Sequence, residues 1–224
     1  MNSPPELSVV IPCLNEAARL PLLLADLHRG ELELEILLAD GGSSDATPEI
    51  ADLTGAGLIR IHPAGRGRQL RVAAAEAHGD WLLFLHADSR LSAQWSRVLT
   101  TLMQGSSASR SAWYFDLRIS PSTPARRLLE RGVGLRSRWL QRPYGDQGLL
   151  LHRSLYERCG GFAELPLMED LDLVERLSRI SDLRRIGLPL TTDGRRWQAD
   201  GVLRRSFRNL VTFIPSLPTS KTIG

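Results

Sequence analysis

Lysine is almost missing from this chain: of 28 basic residues, only Lys221 is not arginine. Arginine suits bidentate contacts to phosphate or carboxylate, although a genome that prefers arginine explains the bias as well. Cysteine is scarce too. Cys13 and Cys159 lie far apart and form no metal-type cluster, which excludes a zinc module or a disulfide framework. No apolar run approaches the ~18 residues of a membrane span. Residues 1–6 carry neither the basic segment nor the apolar core of an export leader, so reduced thiols and a cytoplasmic location are expected. Aromatics make up 6% and do not interleave with the arginines, so no nucleic-acid partner is expected. The chain also lacks a Gly-x-Gly-x-x-Gly turn after its first apolar run and a Walker loop anywhere. That weighs against a dinucleotide binder and a P-loop enzyme.

What is present is ordinary for a globular protein: 224 residues, 42% hydrophobic and 24% charged. The length suits a single domain, residues 1–224, with no linker long enough to divide it. The charge is uneven. Residues 1–119 carry 10 basic and 14 acidic groups, whereas residues 120–224 carry 18 and 11.

The periodicity predicts alternating elements: strands over 7–11, 34–39, 58–61 and 81–85, and helices over 16–29, 47–53 and 68–77. Trp81-Leu82-Leu83-Phe84-Leu85 is apolar on both faces, as in a central strand of a parallel sheet. This pattern predicts an α/β fold, a mostly parallel sheet flanked by helices. Further on, helices are expected over 92–103, 126–139, 170–180 and 202–213, strands over 112–119 and 148–151, and a fraying tail over 214–224.

In open α/β sheets, ligands bind beyond the carboxyl ends of the strands. After the first strand stands Pro12-Cys13-Leu14-Asn15-Glu16, and after the second Asp40-Gly41-Gly42-Ser43-Ser44-Asp45. A carboxylate at Asp40 can take hydrogen bonds from a base or ribose, or close an Asx turn, and Asp45 fits the turn role better. After the third strand, Gly65-Arg66-Gly67-Arg68-Gln69 offers close backbone approach and two guanidinium groups for phosphates. It reads equally well as a turn before an exposed basic helix. After the fourth stands His86-Ala87-Asp88. Asp88 can hold a divalent cation that bridges a diphosphate, Mg²⁺ or Mn²⁺ by its oxygen ligands, or cap the next helix. Met168-Glu169-Asp170 opens a helix, where acidic groups suit the dipole and can also supply a general base. Gly145-Asp146-Gln147-Gly148 can line a cleft wall, and Arg195-Arg196-Trp197 can offer phosphates two guanidinium groups and an apolar platform; each also reads as plain surface. His28, His62, His78 and His152 are read as structural.

The order of these motifs resembles the family 2 glycosyltransferases with a GT-A fold. The matching residues are Val9-Val10-Ile11-Pro12-x-Leu14-Asn15-Glu16, Asp40 to Asp45, Gly65, Phe84-Leu85-His86-Ala87-Asp88 and Glu169-Asp170. Gly65-Arg66-x-Arg68-Gln69, Gly145-Asp146-Gln147, Met168-Glu169-Asp170 and Arg195-Arg196-Trp197 further resemble a bacterial subgroup named for arsenosugar biosynthesis or selenium-associated gene neighbourhoods. The resemblance covers roughly residues 7–210. It implies a nucleotide-sugar-binding half over about 7–110 and an acceptor-side half over about 111–210.

The resemblance implies a nucleotide-diphosphate sugar donor, with uridine as the family-level expectation. Pro12, Asn15, Glu16 and Asp40 would surround the nucleoside. Gly65, Arg66, Arg68, Gln69, His86 and Ala87 would lie near the nucleotide, and Asp88 would bind Mn²⁺ or Mg²⁺. Asp170 would be the general base of an inverting transfer with Glu169 beside it, and Asp146, Gln147, Arg196 and Trp197 would face the acceptor. Two departures matter. His86 replaces the first Asp of the family's Asp-x-Asp, and Arg71 stands where relatives carry Asn. They keep open a non-catalytic nucleotide-sugar-binding protein of the same fold. A sugar-phosphate nucleotidyltransferase is a weaker alternative, because the Gly-rich opening loop is missing. The basic second half suits a phosphorylated or lipid-linked acceptor. Arg204, Arg205 and Arg208 beside Leu203, Phe207 and Leu210 suit a peripheral seat on the inner membrane face, core packing or a homodimer contact.

Overall fold

Leu7-Ser8-Val9-Val10-Ile11 carries apolar side chains on both faces, as a strand in the middle of a sheet must. In the computed structural model of the chain, which describes residues 6–139, 143 and 145–194, this run forms β1 (Leu7–Cys13). There follow α1 (Leu20–His28), β2 (Leu34–Asp40), α2 (Thr47–Thr54), β3 (Gly57–Arg60), α3 (Arg66–Glu76) and β4 (Trp81–Phe84). The second part holds β5 (Arg90–Leu91), α4 (Trp95–Met103), β6 (Ser111–Ser120), α5 (Pro124–Trp139), β7 (Leu149–His152), α6 (Arg153–Arg158), α7 (Glu169–Ser178) and β8 (Asp182–Asp193). Internal packing groups these elements into one unit that ends at Thr192. The expected helix over 202–213 and the tail over 214–224 lie outside the described residues.

One eight-stranded sheet runs in the order β3-β2-β1-β4-β7-β6-β8-β5. The first four strands are parallel, with β1 between β2 and β4. From β4 onward the ladders turn antiparallel: β4 with β7, β6 with β7, and β5 with β8. The sheet is therefore mixed, and its parallel character belongs to the first half. Val9 and Ile11 pack with Leu20, Leu23, Leu24 and Leu27 of α1 on one face. Val10 packs with Leu70, Ala73 and Ala74 of α3 on the other. Each such leucine contributes ~1.5–3 kcal/mol by leaving water.

Most element ends differ from the periodicity by a few residues, and two departures have a local reason. Helix α1 starts at Leu20, not at 16, because the amides of Glu16 and Ala17 donate to Thr47 Oγ1 and Asp45 Oδ2 instead of entering a helix. Helix α3 starts two residues early, at Arg66. Strand β8 has no counterpart in the sequence reading, because Gly187 and Pro189 interrupt its apolar alternation.

Gly67 sets the approach of α3 to the segment before α7. A Cβ there would lie 2.3 Å from the backbone oxygen of Ala163 and 3.2 Å from Glu169 Cβ. Gly67→Ala should destabilise by about 1–3 kcal/mol, read as a lower urea midpoint at unchanged m value. A midpoint equal to that of the native chain would mean that the approach relaxes without strain.

Candidate functional site

The carboxyl ends of β1, β2 and β4 and the N-terminal turns of α3 and α7 carry most of the candidate residues, as the parallel half requires. Two loops are tied to each other first. Asn15 Oδ1 accepts from the amides of Ser44 and Asp45 at 2.8 and 3.3 Å, and its own amide donates to Ser43 Oγ at 2.9 Å. Asp40, 1% exposed, accepts from the Gly42 and Ser43 amides and from the Ser43 hydroxyl. Asp45 accepts from the amides of Ala17 and Thr47 and from the Thr47 hydroxyl. Desolvation pushes the Asp45 carboxyl up, but these hydrogen bonds together hold it below the usual range. Both aspartates thus close turns. Asp40 keeps carboxylate lone pairs beyond these bonds.

Gln69 is buried and donates to the backbone oxygens of Cys13 at 2.9 Å and Ala39 at 2.6 Å. Both its amide hydrogens staple the ends of β1 and β2, so it forms the floor under the loops. Ala87 belongs to the apolar core. Pro12 pairs with Ala39 at the end of the ladder, and Glu16 is bridged to Arg19 at 2.9 Å. Gly65 precedes α3, and Arg68 lies partly exposed on its first turn. Arg71 is exposed. Cys13 is buried and free, and burial, helped by Glu16, Asp40 and Asp45, pushes its thiol far up, which leaves it unreactive.

The remaining groups converge on one point, the α-carbon of Gly145. A Cβ built there would lie 2.6 Å from Arg66 Nη2, 2.8 Å from Asp170 Oδ2 and 3.1 Å from His86 Nε2. The Gly145 amide donates to Asp170 Oδ2 at 2.6 Å, and Asp170 Oδ1 accepts from the Leu171 amide at 2.9 Å. Arg66 Nη2 donates to His86 Nε2, and Arg66 Nε sits 3.1 Å from Glu169 Oε1 as an ion pair. A guanidinium has donors only, so the Nε2 of His86 is the acceptor in this contact. Glu169 is 4% exposed and holds the arginine from behind. Asp170 and Glu169, adjacent in sequence, therefore differ in place: the first reaches Gly145, the second anchors Arg66.

Asp88 is buried, and Thr192 Oγ1 donates to its Oδ2 at 3.2 Å. Among the described residues no group of three His, Cys, Asp or Glu side chains is arranged to hold a metal unaided. A single buried carboxylate still fits Mg²⁺ or Mn²⁺, because such ions take one or two carboxylates and complete their shell with water and substrate phosphates. Gln147 is buried, takes a bond from Ser137 Oγ at 2.7 Å and gives one to the Phe115 oxygen at 3.1 Å. It fixes the turn Gly145–Gln147, which also holds Asp146. Arg196 and Trp197 lie outside the described residues.

Two contributors were not expected. Thr192 carries no sequence signal, because β8 itself was not read. Gly145 stood in a noted motif, but its role follows from lacking a side chain where three others meet. Asn15 and Met168 are the non-glycine residues with positive φ among the described residues, at 56° and 64°. One closes the loop after β1 and the other precedes Glu169, a type of strain that gathers at functional sites.

The family model described as glycosyl transferase family 2 matches residues 8–163. A PGL/p-HBAD biosynthesis glycosyltransferase of Mycobacterium bovis is 38% identical over 94 residues, 39% of this chain and 37% of that protein. A polyprenol monophosphomannose synthase of Mycolicibacterium smegmatis is 31% identical over 144 residues, 59% of this chain and 54% of that protein. The chain thus spans between about a third and a little over half of these two relatives. A mannosyltransferase of Pyrobaculum calidifontis, solved with GDP-Man and Mn²⁺, superposes with a TM-score of 0.69 at 17% identity, over 96% of this chain and 67% of that one. The fold is GT-A, and the chain belongs to glycosyl transferase family 2.

Proposed function

We propose that the chain transfers a sugar from a nucleotide-diphosphate donor, a uridine diphosphate sugar by family expectation, to a hydroxyl acceptor with inversion. The observation that carries the reading is the convergence of Asp170, Arg66 and His86 on Gly145, at the carboxyl end of a sheet whose family uses that edge. The β1 and β2 loops, with Pro12, Asn15, Glu16 and Asp40, receive the nucleoside. Arg66 and Arg68 on the first turn of α3 meet the diphosphate, where guanidinium forks match phosphate oxygens. Asp88 would hold a divalent cation, which when bound neutralises charge on the departing diphosphate. Asp170 takes the proton of the acceptor hydroxyl as the new bond to the anomeric carbon forms and the bond to the diphosphate oxygen breaks. Glu169 keeps Arg66 in place. The subgroup resemblance leaves the substrate of the transfer open, and the buried free thiols suit a reducing, cytoplasmic compartment.

Titration with nucleotide diphosphates, with and without Mn²⁺, tests the donor site. The native chain should bind one nucleotide at least about tenfold more tightly with the metal, ~1.4 kcal/mol, and Asp88→Ala should lose that difference. Equal metal dependence in both proteins would remove Asp88 from the metal role. Binding without any sugar transfer or donor hydrolysis would favour the non-catalytic reading.

A further inference from the structure

A second, larger opening lies away from Gly145, among β6, α5 and β8. It is a cleft of about 730 Å³. Its lining contains four arginines, Arg118, Arg127, Arg131 and Arg185, against two carboxylates, Asp116 and Glu130. Both carboxylates are already engaged with the wall. Asp116 takes a two-pronged contact from Arg185, which raises the arginine's affinity for its proton. Glu130 accepts from the Ile119 amide at 2.8 Å and lies 3.5 Å from Arg118. The excess of two positive charges in the lining therefore falls on Arg127 and Arg131, exposed and one turn apart on α5. Arg127 is steadied by Ser122 Oγ at 3.0 Å.

The cleft is joined to the first site by two short lengths of chain. Gln147 lines it, and two residues earlier the Gly145 amide holds Asp170. Thr191 lines it, and the next residue, Thr192, holds Asp88. A ligand seated in the cleft thus abuts the same two segments that position the proposed base and the metal carboxylate. Two like-charged guanidinium groups held one turn apart repel each other, and a dianion placed between them removes that repulsion and accepts several charge-assisted hydrogen bonds.

We propose that this cleft binds the acceptor, and that the acceptor carries a phosphate group held by Arg127 and Arg131. A soluble phosphomonoester and a lipid phosphate present the same chemistry here. The word acceptor rests on the transferase reading, whereas the phosphate site stands on the cleft alone. The test uses glycerol 3-phosphate with glycerol as its uncharged counterpart, followed by ³¹P line broadening and calorimetry. Vesicles of phosphatidylcholine with and without phosphatidic acid are followed by sedimentation. The native chain should bind glycerol 3-phosphate and not glycerol, and Arg127→Gln/Arg131→Gln should weaken that binding at least tenfold. The same variant should keep its native melting temperature and its nucleotide-diphosphate affinity. Sedimentation with phosphatidic acid vesicles alone, lost in the variant, assigns the lipid source; binding of glycerol 3-phosphate without sedimentation assigns the soluble one. Native binding of neither phosphate probe at millimolar concentration, or equal binding by the variant, overturns the proposal. Loss of nucleotide binding in the native chain with phosphate binding intact would instead overturn the donor reading and spare the cleft.

Discussion

Asp170→Asn should lower sugar transfer by about 10²–10⁴-fold, the usual worth of a positioned general base, with nucleotide-diphosphate binding retained. The substitution keeps the size of the side chain but removes its proton affinity. It also removes one of two acceptor oxygens, because Asp170 accepts from Gly145 through Oδ2 and from Leu171 through Oδ1. One of these amides would then face an NH₂ group, at about 1 kcal/mol in stability. The two effects separate cleanly. Stability is read by urea denaturation, donor binding by calorimetry, and chemistry by single-turnover transfer under saturating donor. A single-turnover rate within tenfold of the native one would remove Asp170 from the role of base. Retained chemistry with a lowered urea midpoint would leave it a purely structural helix-start residue.

Gly145→Ala should lower transfer by about 10²-fold, the scale of an ångström's misplacement of reacting groups, with little loss of stability. The added methyl would sit 2.6 Å from Arg66 Nη2, 2.8 Å from Asp170 Oδ2 and 3.1 Å from His86 Nε2. All three are the far ends of flexible side chains, so they move before the backbone does. This is the opposite of Gly67, where the obstacle is the Ala163 backbone oxygen and the fold itself must yield. The pair therefore makes a matched experiment. Gly67→Ala should shift the urea midpoint, and Gly145→Ala should shift kcat at an unchanged midpoint. A Gly145→Ala enzyme with native kcat would mean that the three tips need not meet for catalysis.

Much of the architecture of the first half was legible because its signals are local. A buried strand writes itself as an apolar run, and the turn that follows writes itself as Gly, Asn, Asp and Ser. The segments 12–16, 40–45, 65–69 and 86–88 could be placed at strand ends on that ground. Roles within them were less legible. Asp40 and Asp45 have the same chemistry in sequence, and both proved to close turns. Gln69 has the right type for a ligand contact, yet its amide is directed to the Cys13 and Ala39 carbonyls beneath the loops. Strand β8 was hidden because Gly187 and Pro189 break the alternation that identifies a strand.

By itself, then, the sequence determined the strand–helix alternation, the parallel half of the sheet and the edge that carries the candidate residues, because each depends on periodicity within a few turns of chain. Tertiary structure alone decided which side-chain tips meet. Arg66 reaches His86 across 20 residues, Gly145 reaches Asp170 across 25, and Asp88 reaches Thr192 across 104. The last two meetings follow from the sheet order, in which β7, β6 and β8 come after β4 and bring the second half of the chain against the ends of the first. No local pattern encodes that order, because it is set by how the two apolar faces of the sheet are covered together.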